Sequence, residues 1–125
     1  MWSLLLLYAE GNFVGSGADM AIMRGVCEHT EGKHLTVNAF SAALRLQRAF
    51  DGKFVDDVPA FAVLGARVEV PDLEALRGAR RFSGTVGPTA LTLTFDGEAR
   101  LNGSIVPALD REYSVEGQGY WRPVF

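Results

Sequence analysis

The spacing of apolar positions in residues 39–50 is that of a helix with one buried face. Apolar side chains recur there every three or four positions, which is the period of an α-helix, and Arg45 and Arg48 lie away from them. Asn38 is a favourable N-cap, and Gly52 is placed to end the helix. We therefore predict a helix over this segment. Its buried stripe consists of Phe40, Ala43, Leu46 and Phe50.

The rest of the chain favours strands. Residues 2–9 are a continuous apolar run, and residues 60–70 are rich in Phe and Val, so each predicts a strand. Residues 72–76 predict one short helical turn. From Arg81 onward, short alternating runs are separated by Gly, Pro and Asp, which is typical of antiparallel sheet. Residues 19–31 fit a helix, with a strand as the alternative.

One hairpin in the strand-rich half can be predicted in detail. A three-residue loop, Phe95–Gly97, pairs Leu93 with Ala99 and Leu91 with Leu101, and it puts glycine where positive φ is needed. A two-residue turn would instead place a charged side chain on the core face. Because side chains alternate with a period of two, the hydrophobic pattern decides between these registers.

Length and composition indicate one folded domain over 1–125. The chain has 125 residues, of which 48% are hydrophobic and 22% are charged, as in an ordinary globular domain. We therefore expect an α+β fold, with one or two helices packed on a curved antiparallel sheet or partial β-barrel that includes the N-terminal strand.

Charge and cysteine content narrow the environment and the partners. The net charge is −3, which offers no global attraction for nucleic acid or for an anionic membrane. The basic cluster of Arg77, Arg80 and Arg81 fits a solvated face. A lone cysteine, Cys27, fits a reducing compartment, and the apolar run 4–7 is too short for a signal core or a membrane span. We expect a cytoplasmic protein, with self-association into a homo-oligomer left open.

The N-terminal glycines resemble two known patterns. Gly11, Gly15 and Gly17 resemble the glycine pattern of short-chain dehydrogenases, which implies a pyrophosphate at a helix N-terminus. The string 14–21 is similar to one in proteasome-like hydrolases. The chain has neither the Tyr-x-x-x-Lys pair of the former nor the N-terminal nucleophile of the latter. We therefore interpret the segment as a glycine-rich turn and expect no cofactor.

Every cysteine and histidine of the chain lies within eight residues. Zinc uses such side chains, and Cys27, His29 and His34 would be the ligands. On a helix, however, residues two apart point in nearly opposite directions, so Cys27 and His29 would not share an ion, whereas on a strand they could. We expect no metal.

The C-terminal third places carboxylates next to aromatic residues. Asp110 and Glu112 precede a strand pair rich in aromatics, and polar groups that converge on aromatic rings are typical of a pocket. Our leading hypothesis is a small-molecule-binding domain with a pocket for a small apolar ligand between helix and sheet. The candidate lining is Phe40, Phe61, Tyr113, Tyr120 and Trp121.

Two other classes of function fit the same sequence. One is a small cofactor-free enzyme, such as an isomerase, cyclase or hydratase, with Asp110 or Glu112 as the pocket carboxylate. The other is a structural or assembly protein that acts through its interface. An open cavity with an ionisable group at its base favours the enzyme, and a flat apolar surface favours the assembly protein.

Overall fold

Eight antiparallel strands close into a barrel. The computed structural model describes residues 21–30 and 32–124, and the ring order of its strands is β1-β2-β3-β8-β5-β6-β7-β4, with β4 paired again to β1. A 3-10 turn lies between β4 and β5. The strands are β1 (Ala21–His29), β2 (His34–Ser41), β3 (Leu46–Phe54), β4 (Phe61–Val70), β5 (Gly78–Val86), β6 (Ala90–Phe95), β7 (Arg100–Ser104) and β8 (Tyr113–Pro123), and the 3-10 turn is Leu73–Leu76.

The barrel has two ends that differ in their covering. At the Arg48 end, where β1, β3, β5 and β7 begin, the connection 71–77 carries the 3-10 turn, whose Ala75 and Leu76 are buried. At the His29 end, where these strands finish, the connections 55–60 and 105–112 link β3 to β4 and β7 to β8. Each end is therefore built from turns contributed by distant parts of the chain.

Aromatic rings fill the inside of the barrel. Alternate side chains of each strand point inwards, as the burial pattern of β6 shows most simply. The rings of Phe50, Phe54, Phe82, Phe95 and Trp121 pack with neighbouring centroids 5.0–5.8 Å apart, mostly edge to face or tilted. Eight strands enclose a space just wide enough for side chains to fill, and these rings occupy it.

Glycines on the inner face make room for the rings. A Cβ at Gly117 would lie 2.6 Å from Cζ of Phe82, and a Cβ at Gly119 would lie 2.7 Å from Cζ of Phe50. Each would also collide with a backbone carbonyl of β3. The glycines of β8 are therefore a packing requirement: a ring occupies the space that a side chain on the strand would take.

The predicted helix over 39–50 is wrong, and so is the α+β fold class. No residue in the described ranges lies in an α-helix, because this segment forms parts of β2 and β3. The turn 42–45 joins the two strands, and Arg45 adopts a left-handed φ of 54° there. Residues with high helix propensity form strands here because pairing on both sides, to β1 and to β8, outweighs a weak local preference. The predicted stripe divides, with Phe40 outside and Phe50 inside.

Other local predictions are confirmed. Residues 61–70 are a strand, a short helical turn follows Asp72, and the chain after Arg81 is antiparallel sheet. Of the two alternatives for residues 19–31, helix or strand, the described part forms a strand, β1. The predicted strand at 2–9 and the glycine pattern lie outside the described residues. Among the residues that are described, no helix is long and apolar enough to cross a membrane.

The predicted register of the β6–β7 hairpin is wrong by two residues. Phe95 pairs with Ala99 across a loop formed by the three residues between them, so Leu93 faces Leu101 and Leu91 faces Gly103. A shift of two leaves every side chain on its predicted face, and the apolar pattern therefore does not detect it. The observed register brings the ring of Phe95 into the barrel.

Replacing Gly119 by alanine tests the packing of the rings against β8. We expect Gly119→Ala to lower the free energy of unfolding by about 1–3 kcal/mol, because the added methyl group must displace a ring or the backbone of β3. Gly65→Ala is the matched control, since nothing lies within 4 Å of its Cβ position, and we expect a change below about 1 kcal/mol. Urea denaturation measures both, and equal effects would contradict this account of the inner glycines.

Candidate functional site

Arg48 lies near the start of β3, on its inward face. It lies between Ala39 of β2 and Pro123 of β8, on the face that carries Phe50 two residues later. Its Nη1 donates to the carbonyl oxygen of Gln47 at 3.2 Å. Its Nε is buried and has no hydrogen-bond partner among the described residues. Arg48 as a whole is partly exposed, so Nε is covered while the guanidinium reaches the rim of the barrel.

Trp121 brings a second buried donor to the same place. The residue is 2% exposed, and its indole Nε1 also has no acceptor in the described part of the chain. Trp121 lies directly opposite Phe50, so Arg48 is its diagonal neighbour on the inner face. Diagonal neighbours on one face lie about 7–8 Å apart at their Cα atoms, which long side chains can span. Two N–H groups that lack acceptors among the described residues therefore belong to side chains on diagonal positions of one ladder.

A second arginine flanks Trp121 on its other side. Arg80 of β5 pairs with Gly119, which makes it the diagonal neighbour of Trp121 across the β5–β8 ladder. Its Nη2 donates to the carbonyl oxygen of Glu74 at 2.8 Å, and its Nε to that of Arg77 at 3.2 Å. Arg80 thus anchors the 3-10 turn and adds a positive charge to this end of the barrel.

The arrangement at the Arg48 end suits the binding of a hydrogen-bond acceptor. Arg48, Arg80 and Trp121 supply donors and positive charge, and none of the three side chains carries a hydrogen-bond acceptor. Hydrogen bonds between charged donors and carboxylate or phosphate oxygens are the strong ones in proteins. We name this set, Arg48, Arg80 and Trp121, the donor cluster.

The His29 end has a buried histidine with a carbonyl oxygen within hydrogen-bond distance of each ring nitrogen. His29 is 1% exposed, and its Nδ1 and Nε2 each lie 2.6 Å from a carbonyl oxygen, those of His34 and Val58 respectively. The doubly protonated ring donates to both oxygens, whereas the neutral ring donates to one. The rings of Phe54 and Phe61 pack on the imidazole with centroids 5.0 and 5.6 Å away. His29 therefore ties the 55–60 connection to the start of β2.

The three residues considered as zinc ligands do not converge. Cys27 and His29 point into the barrel from β1, whereas His34 is outside, 3.7 Å from a carboxylate oxygen of Asp51. No group of three His, Cys, Asp or Glu side chains in the described ranges could hold a metal ion. Burial raises the pKa of the Cys27 thiol to about 12, with a smaller contribution from the charge of Glu28.

The five predicted lining residues do not line one pocket. Phe61 and Trp121 are inside the barrel, but Phe61 lies at the His29 end and Trp121 at the Arg48 end. Phe40 and Tyr120 are on the outer face, 47% and 65% exposed. Tyr113 is half-buried at the start of β8. Only Trp121 belongs to the donor cluster.

The predicted carboxylates lie at the His29 end and face solvent. The hydroxyl of Tyr113 donates to Oδ1 of Asp110 at 2.7 Å, which holds the pKa of that carboxyl below its usual range and raises the pKa of Tyr113. The guanidinium of Arg111 lies 4.1 Å from the centroid of the Tyr113 ring. Glu112 is exposed. A carboxylate with a lowered pKa is a weak proton acceptor, so this cluster is better suited to holding the 105–112 connection than to acid–base chemistry.

A surface depression of about 780 Å³ lies outside the barrel wall, near the His29 end. It is open to solvent, and its side chains carry both signs of charge. Mixed, solvated charges of this kind are ordinary surface, and the depression has no contact with the donor cluster. Its lining is Glu28, Thr30, Gly32, Lys33, His34, Thr36, Lys53 and Asp57.

Comparison with protein-family models, with curated proteins and with solved structures found no match. The candidate site therefore depends on geometry alone. Sequence reasoning missed Arg48 and His29, although each stands two residues from an inward apolar residue of its strand. That alternation is the signal that would have found them, once the segments are treated as strands.

The role of His29 can be tested against the other histidine. We expect His29→Leu to lower the free energy of unfolding by roughly 1–3 kcal/mol, because the substitution removes the ring that donates to a buried or part-buried carbonyl oxygen. His34→Leu is the matched control on the outer face, where we expect a change within about 0.5 kcal/mol. Urea denaturation at neutral pH compares them. Similar losses for both variants would contradict the tie between His29 and the 55–60 connection.

Cys27 provides a second test, through its reactivity. Because burial keeps the thiol protonated, we expect a disulfide reagent at pH 8 to modify native protein only as fast as the barrel opens, and denatured protein at once. The raised pKa also favours the folded state below about pH 9, and this contribution is lost as the pH rises towards 12. Rapid labelling of the native protein would contradict the buried position of Cys27.

Proposed function

We propose that this protein binds a small molecule at the Arg48 end of the barrel. The observation that carries the proposal is the pair of buried donors, Nε of Arg48 and Nε1 of Trp121, which lack an acceptor among the described residues. The proposal keeps the small, largely apolar ligand expected from the sequence and adds to it a polar group that accepts hydrogen bonds. It moves the site from a helix–sheet cleft to a barrel end.

Buried donors without acceptors lower the stability of a folded protein. Each buried donor without an acceptor lowers the free energy of unfolding by about 1–3 kcal/mol. The large majority of buried polar groups in native proteins have hydrogen-bond partners. Two such donors at one end of the barrel therefore lower the free energy of unfolding of the free protein. A loss of stability of this kind is typical of binding sites, where the free protein holds polar groups in position for a ligand.

The filled interior limits where a ligand lies. Phe50 and Phe95 pack directly on Trp121, with centroids 5.1 and 5.3 Å away, so a ligand does not enter past the indole. Beyond Arg48 towards the rim, β3 begins with Leu46, which is partly buried against the core and faces Ser41. A ligand at this rim therefore contacts an apolar side chain as well as the donors.

Replacing Arg48 tests the proposal without knowledge of the ligand. We expect Arg48→Met to raise the free energy of unfolding of the free protein by about 1 kcal/mol, because it removes a buried, unpaired donor and keeps an apolar stem. Arg24→Met is the matched control: Arg24 is exposed on the outer face of β1, and we expect a change within about 0.5 kcal/mol. A loss of stability in Arg48→Met beyond that of the control would show that Arg48 is a structural residue and would overturn the proposal.

A further inference from the structure

We infer that the ligand of the donor cluster is an organic monocarboxylate whose apolar part lies at the rim. This inference rests on the proposed function and names its ligand class. It follows from three features of the Arg48 end: two guanidinium groups with no carboxylate partner among the described residues, two buried N–H donors on diagonal positions of the β3–β8 ladder, and the partly buried Leu46 at the rim.

The charge at this end calls for an anion. Arg48 donates to the carbonyl oxygen of Gln47, and Arg80 donates to those of Glu74 and Arg77, so both are bound to neutral oxygens. The salt bridges found among the described residues involve other arginines, among them Arg77 with Glu74. Two positive charges therefore flank Trp121 with no ionic partner in this part of the chain.

The number and kind of donors match a carboxylate group. Nε of Arg48 and Nε1 of Trp121 are each a single N–H, and each lacks an acceptor among residues 21–30 and 32–124. A carboxylate has two oxygens and accepts two such hydrogen bonds at once, with the charge assistance that the guanidinium provides. A neutral carbonyl would accept them without gaining from the two positive charges.

Burial favours a monoanion over a phosphate. Trp121 is 2% exposed, and its neighbours across the ladders are Phe50 and Gly78. Moving charge from water into apolar surroundings costs more as the charge rises, so a doubly charged phosphate loses more hydration than a carboxylate. The rim residue Leu46 then provides an apolar contact for the remainder of the molecule.

Phenylacetate and its neutral amide, phenylacetamide, separate charge from shape. Isothermal titration calorimetry on the full chain should give at least about tenfold tighter binding of phenylacetate than of the amide. Arg48→Met should remove that preference, whereas Arg24→Met should keep it. Raising the salt concentration from roughly 0.05 to 0.5 M should weaken the binding of phenylacetate and leave that of the amide unchanged.

Each other outcome overturns a stated part. If acid and amide bind equally and Arg48→Met weakens both, the ligand is a neutral acceptor: the carboxylate inference fails and the proposed function stands. If inorganic phosphate displaces phenylacetate at equal concentration, the site is a general oxyanion site, and the inference fails. If neither probe binds, the inference and the proposed function both fail.

Discussion

The fold depends on how aromatic rings fit inside a closed sheet. Phe50 and Phe82 lie over glycines of β8, where any side chain on the strand would meet the ring. β8 carries glycine at the positions where the rings of Phe50 and Phe82 need space, so small residues of one strand match large residues of its neighbours. This mutual fit, rather than the hydrophobicity of any one strand, determines how the large side chains fill an eight-stranded barrel.

A filled interior leaves the two ends as the places where polar groups meet the core. The same physical problem, a buried nitrogen, is solved differently at each. His29 has carbonyl oxygens within hydrogen-bond distance of both ring nitrogens, so that end is complete within the described residues. Arg48 and Trp121 each have a buried N–H without an acceptor in the described part of the chain. This difference between the two ends, among the described residues, is what marks the Arg48 end as the candidate site.

The sequence predicts the faces of the strands better than their partners. Alternation identified the inward residues of β6, yet it did not detect a register shift of two, because such a shift preserves every face. The helix prediction for residues 39–50 is wrong because apolar residues at three- and four-residue spacing suit a helix locally. The strand pairing that outweighs this preference involves residues far along the chain. Taking that segment as a helix put Arg48 on a solvent face, which hid the candidate site. Trp121 alone was anticipated, as an aromatic in a pocket.

The position of β8 has a consequence for how the chain reaches this structure. It lies between β3 and β5, so residues more than 70 apart in sequence, such as Arg48 and Pro123, become neighbours. Until β8 arrives, β3 and β5 each present an open edge on which a strand from another molecule could add. Contacts of such long range form slowly, because a large loop must close first. The insertion of β8 between β3 and β5 is therefore the step that closes the barrel. It converts an aggregation-prone open sheet into a ring in which both of these edges are paired.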